Sequence, residues 1–400
     1  MDLKTKINSL SERLYPEILE TRNHLHMHPE LSFAESATSD YIASELTNTG
    51  ITFRRGFVKT GIVATLNMES EQPLCIAIRA DMDALPIEEM NDIPYKSVYQ
   101  GIMHACGHDV HMSVLLGCIK ILKELKDELK AKFYFIFQPG EEKLPGGAKL
   151  MLEEGIFFAG EPDVILGLHV LPSLDSGKVG FRQGIYMAST DELYITVKGK
   201  GGHAAMPQDN VDPVLIASHI VVALQQLVSR RANPALPTVL SIGKFIANGA
   251  TNVIPDTVQL EGTFRTFDEQ WRIEAHAKMK QLAGMLAESM GGSCDFEVRN
   301  GYPVLVNDAA ATRLASQFAG EYLGNEKVTE LDLRMTAEDF AYFTQKYPAV
   351  FFRLGVRNKV KNIVSALHTA GFNIDEDALR TGMGTMAYIA ASMAIKGLAK

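Results

Sequence analysis

The chain has 400 residues, 46% of them hydrophobic and 22% charged, with a formal net charge of −9. That length exceeds what one hydrophobic core usually serves, so two domains are expected. The acidic balance, without a lysine or arginine run, argues against a phosphate-tracking surface and sets nucleic acid aside as a partner.

The opening "MDLKTKINSLSERL" is charged throughout and lacks the apolar stretch of a secretory signal. Cysteines at 75, 106, 118 and 294 form no C-x-x-C pair, which suits a reducing cytoplasm. "LCIAI" (74–78), "FYFIF" (133–137) and "VILGL" (164–168) are continuous apolar runs, the pattern of strands buried on both faces of a parallel sheet. Between the first two, a helix is predicted from Val110 to Leu129, with Leu115, Cys118, Ile119, Leu122 and Leu125 as its apolar stripe.

The middle of the chain alternates instead. Strands are predicted at about 191–198, 238–246, 256–265 and 294–299, with helices at about 212–231 and 269–290. In "TVQLEGTFRT", Val258, Leu260 and Phe264 face inward while Gln259, Glu261, Thr263 and Arg265 face outward. Period-two alternation implies an antiparallel sheet with one face off the core, and the order β-α-β-β-α-β is ferredoxin-like. "AVFFRLGV" (349–356) then resumes the buried style, followed by a closing helix from about Asp377. The reading is an α/β domain over residues 1–187 and 301–400, interrupted by an insert over 188–300. "VLIASHIVVALQQLV" and "MGTMAYIAASMAIKGLA" read as buried helices, not membrane spans.

Chemistry-bearing residues collect where the flanking strands end. Asp81 and Asp83 follow the first run, Glu141 and Glu142 the second, His169 the third, and "MHACGHDVH" (103–111) precedes the helix. Open α/β sheets place ligands at the carboxyl ends of their strands. Taken singly, each residue has an ordinary explanation as a turn, cap or buried side chain; together they suit one or two transition-metal ions. Of two adjacent glutamates, one can ligate while the other takes a proton from water. A competing reading makes Cys106 a nucleophile with His104 or His108 as its base, which leaves the second carboxylate pair and His169 idle.

"RADMDALPIEE", "MHACGHDVHM", "QPGEE", "LGLHVLP", "GKGGHAAMP", "TNVIPDTVQLEGTFRTFD" and "LHTAGFNIDEDAL" occur in this order along nearly the whole chain. On these motifs it resembles the aminoacylase-type metallopeptidases, specifically their hippurate hydrolase and indole-acetyl-amino-acid hydrolase branch. The resemblance implies a dinuclear-metal aminopeptidase-like α/β domain with an inserted lid or dimerisation domain, two divalent ions, for which the thiolate, imidazole and carboxylate donors leave Zn, Mn, Ni or Co, and a homodimer. It also implies a metal-dependent amidohydrolase acting on N-acyl amino acids. A dipeptidase or N-acetyl-diaminopimelate-type deacetylase is an alternative on the same site, and a non-catalytic binding protein is a more distant one. Cys106, His108, Glu142, His169 and His368 match the family's metal ligands, Glu141 its general base, and Asp83 a supporting aspartate. Asp81 stands where the wider family has a ligating histidine. His203 matches a histidine that reaches the substrate carbonyl, and Asn252 and Arg265 match substrate-binding positions. "EEKLPGGA" and "LHTAGF" depart from the family's usual "EEGPGGA" and "LHSPxF".

Overall fold

The computed structural model describes residues 1–69, 71 and 74–398. The chain divides into two compact units: one holds Met1–Tyr186, Val306–Asp332 and the segment from Asp339 onward, the other Met187–Leu305 and Leu333–Glu338.

The first unit opens with helices α1 (Leu3–Met27) and α2 (Ser36–Thr49). Asp2 caps α1, its carboxylate accepting from the Thr5 amide at 2.9 Å. Then come β1 (Thr52–Phe57), β2 (Gly61–Leu66), β3 (Leu74–Asp81), α3 (His108–Glu124), β4 (Ala131–Gln138), α4 (Gly147–Glu153), β5 (Val164–Asp175) and β6 (Val179–Phe181).

The second unit carries β7 (Asp191–Lys198), α5 (Pro213–Arg230), β8 (Thr238–Ile246), β9 (Thr257–Thr266), α6 (Glu269–Ser289) and β10 (Ser293–Asn300). Its sheet runs β8-β9-β7-β10, antiparallel throughout, the ferredoxin-like order. Leu193, Ile195, Val197, Val258, Leu260 and Phe264 form its buried face beneath α5 and α6. The strand and helix bounds agree with those expected from alternation. α5 departs from expectation. It is long and apolar enough to cross a membrane, yet only one face packs on the sheet. Leu215 and Val222 on its other face stand 51% and 72% exposed, so the helix expected to be buried is buried on one face only.

The chain returns to the first unit with α7 (Ala309–Leu323), β11 (Val328–Glu330), β12 (Ala349–Arg357) and α8 (Asp377–Lys396). The eight-stranded sheet of this unit has the order β1-β2-β4-β3-β5-β12-β6-β11. Its centre, β4-β3-β5-β12, is parallel, as the continuous apolar runs required. Helices α1, α3 and α8 pack against one another, with α3 and α8 also meeting the sheet. α3 ends at Glu124, five residues short of the expected Leu129, and a 3-10 turn at Lys126–Glu128 carries the chain onward.

Candidate active site

Gly107 sets the start of α3. Its φ of +83° is left-handed, and a Cβ there would come within 2.6 Å of Val170 Cγ2. Only glycine suits both demands. The turn delivers Cys106 and His108 to the carboxyl end of the parallel strands. Cys106 Sγ stands 3.3 Å from His169 Nε2 and 3.3 Å from His368 Nε2. His368 Nε2 also lies 3.3 Å from Glu142 Oε1, and His108 Nε2 4.0 Å from that same oxygen. Two donor groups therefore share one sulfur: Cys106, His108 and His169, and Cys106, Glu142 and His368.

His169 lies inside β5, not beyond its end as expected, because β5 keeps pairing with β12 as far as Asp175. Its Nδ1 donates to the Val170 carbonyl at 2.8 Å. That bond puts the proton on Nδ1 and turns the Nε2 lone pair toward Cys106. Burial, then the charge of Arg353, holds the imidazole well below its ordinary pKa. His368 adopts φ +58°, unusual for a residue with a Cβ. Its amide donates to the Ala105 carbonyl at 2.9 Å, so "LHTAGF" still brings the ring to Cys106 without the family's proline.

Asp83 organises the glutamate pair. Its two oxygens accept from the Glu141 amide at 3.0 Å and the Glu142 amide at 2.9 Å, and Ser32 donates to it at 2.6 Å. Glu35, which the sequence did not bring forward, accepts from the Gly140 amide at 2.9 Å. Burial and the neighbouring Asp83 push Glu35 up to about 7. Glu141 Oε1 accepts from the Asp339 amide at 3.4 Å, and Glu141 belongs to neither donor group that shares Cys106.

Asp339 also receives Arg79 at 2.7 Å, Gln138 at 2.8 Å and the Ala148 amide at 3.0 Å. Beneath α3, Arg22 and His26 reach from α1 to Asp109 at 2.9 and 2.7 Å, and His26 meets Glu89 at 3.1 Å. None of these partners was foreseen.

In the second unit, Gly202–His203 pairs antiparallel with Val253–Ile254, which sets Asn252 beside His203. The Ala205 amide donates to His203 Nδ1 at 3.1 Å, and the Ala204 amide to the Asn252 carbonyl at 3.0 Å. Both residues are exposed. Arg265 lies on β9, where Nη1 donates to the Met335 carbonyl at 3.0 Å. With Val239 and Leu333–Thr336 it lines an open cavity of about 460 Å³.

Residues 77–392 match the model of Peptidase family M20/M25/M40. The chain belongs to this family. It is 40% identical over 305 residues to an N-acyl-L-amino acid amidohydrolase of Geobacillus stearothermophilus, covering 76% of this chain and 81% of that one. It is 38% identical to an N-acetyl-L-cysteine deacetylase of Bacillus subtilis, covering 95% and 89%. Among solved structures, the YXEP protein of Bacillus subtilis, a dinuclear metal binding peptidase of family M20, superposes with a TM-score of 0.82 at 33% identity, covering 96% and 99%. The M20 chain described here is accordingly a hydrolase of amide bonds with the mixed α/β fold of that family.

The donor set suits divalent cations. His108 Nδ1 lies 3.3 Å from Asp83 Oδ1, while its Nε2 is buried without a hydrogen-bond partner, an arrangement that a bound ion would relieve. Sulfur and nitrogen ligands around one tetrahedral ion stand about 3.5 Å apart, close to the Cys106 separations. Burial, with Glu142 and Glu141, holds the Cys106 thiol well above its usual range, so the thiolate needs a cation beside it. The nucleophile reading loses one of its two candidate bases. Both ring nitrogens of His104 are buried without a partner, and burial pushes that imidazole down to about 4.

Proposed function

We propose that this M20 hydrolase cleaves N-acyl amino acids, using two divalent ions held by Cys106, His108, Glu142, His169 and His368. The observation that carries the reading is the single sulfur of Cys106, 3.3 Å from both His169 and His368. Cysteine and histidine favour Zn, Ni or Co, while the carboxylate also admits Mn. Such ions would acidify a water and polarise the acyl carbonyl. Glu141 accepts the water's proton and returns it to the leaving amine. Asp83 keeps Glu141 and Glu142 apart in role by fixing both of their amides. Arg265, with Asn252, takes the substrate carboxylate, for which a guanidinium is the matching group. The four cysteines are free, in keeping with work in the cytoplasm.

The test is a panel of N-acetyl, N-benzoyl and indole-acetyl amino acids, dipeptides and N-acetyl-diaminopimelate, offered to chelated enzyme reloaded separately with Zn, Mn, Co or Ni. Chelation should abolish turnover and one metal should restore it, with N-acyl amino acids the best substrates. Turnover that survives complete chelation would sink the proposal.

We place the second unit as a lid and dimerisation element, with His203 serving the partner subunit's site. Inactive His203→Ala and inactive Glu141→Gln subunits, once mixed and exchanged, should then regain activity, because one site of the heterodimer holds both groups. Exchanged mixtures that stay inactive would confine His203 to its own chain or remove its role.

A further inference from the structure

β3 pairs with β5 only as far as Arg79 and Gly167. Three residues further along β5 the backbone amide of Val170 has no strand partner on that side. His111, on the first turn of α3, fills the gap: its Nε2 accepts from the Val170 amide at 3.0 Å. Its Nδ1 lies 2.6 Å from Asp81 Oδ1, and Arg79 Nη1 donates to Asp81 Oδ2 at 2.6 Å. All three side chains are wholly buried. Arg79 keeps Asp81 ionised, Asp81 keeps the proton of His111 on Nδ1, and Nε2 is left as an acceptor. The carbonyl of the same Val170 receives His169 Nδ1 at 2.8 Å.

We propose that His111 is a positioning residue for His169, acting as a substitute strand partner that fixes the backbone at Val170 and through it the ring of His169. Asp81, standing where the wider family has a ligand, is the anchor of this chain and not a ligand itself. The alternative is that Asp81, His108 and His111 hold a cation of their own, since their ligand atoms also lie within 4.8 Å of one another. Both nitrogens of His111 are already committed to Asp81 and Val170, which leaves no lone pair for one.

The inference rests on the proposed metal reading, and calorimetric titration of chelated protein with Mn²⁺ or Zn²⁺ separates the two. Wild type should take up two equivalents; fewer would overturn the metal reading and this inference with it. His111→Leu removes donor and acceptor together. One of its two equivalents should weaken about 10- to 100-fold, the usual cost of losing a group that orients a ligand, while the other stays near wild type. His111→Gln, with an amide N–H for Asp81 and a carbonyl for Val170, should recover most of the loss. Two unchanged equivalents in His111→Leu overturn the proposal. So does equal weakening of both in Leu and Gln variants alike, with a lowered melting temperature of the chelated protein, since that is general damage to the fold. If His111→Leu does not fold, His111→Asn, too short to span both partners, takes its place under the same readings.

Discussion

Glu141→Gln is expected to keep two ions per chain and to lose about 10²- to 10⁴-fold in kcat, the usual contribution of a general base. The amide matches the carboxylate in size. Its position is set from outside the side chain, because Asp83 holds the Glu141 amide at 3.0 Å and the Glu142 amide at 2.9 Å. The Asp339 amide, which donates to Glu141 Oε1 at 3.4 Å, finds the same acceptor in the carbonyl of glutamine. The proposed donors Cys106, His108, Glu142, His169 and His368 are untouched, so elemental analysis should read as for wild type. A variant with near-normal kcat, or one that sheds its ions, would reverse the roles given to the two glutamates.

What the sequence made legible follows from how each element buries itself. β3, β4, β5 and β12 are covered on both faces and therefore read as unbroken apolar runs; the strands of the second unit are covered on one face and alternate. The polar residues that follow the buried runs stand out against them, which is why the sequence alone offers Asp83, Glu141 and Glu142 as site candidates. α1 could not be found this way. Four of its seven buried residues are polar, Ser11, Thr21, Arg22 and His26 beside Ile7, Ile18 and Leu25. Its apolar period is diluted because Arg22 and His26 are spent on Asp109. Arg79 and Asp339 were silent for another reason: the pair spans 260 positions, and nothing local in "IRAD" or "AEDF" announces the partner. His111 sat in plain view within "MHACGHDVH", yet its task depends on where β3 stops pairing with β5.

Cys106→Ala is expected to lose metal and activity together, in contrast to Glu141→Gln. Its sulfur is common to both donor groups, so its removal leaves one ion with His108 and His169 and the other with Glu142 and His368. Two protein donors are too few to hold a first-row ion against water in an open site. Elemental analysis after dialysis should fall well below two ions per chain, with turnover lost in proportion. The chelated variant should fold as well as chelated wild type, because alanine keeps the Cβ at a small, buried loop position and leaves Gly107 free to make its turn. The difference should emerge on adding metal. A ligand present at 100 times its Kd stabilises the native state by about 2.7 kcal/mol, and a variant that no longer binds gains none of it. Melting temperature against metal concentration should therefore rise for wild type and stay flat for Cys106→Ala. If the variant instead retains two ions and a rising melting curve while turnover vanishes, the sulfur is not a ligand but the attacking group. Alkylation of Cys106 in chelated wild type would then block a reaction that needs no metal.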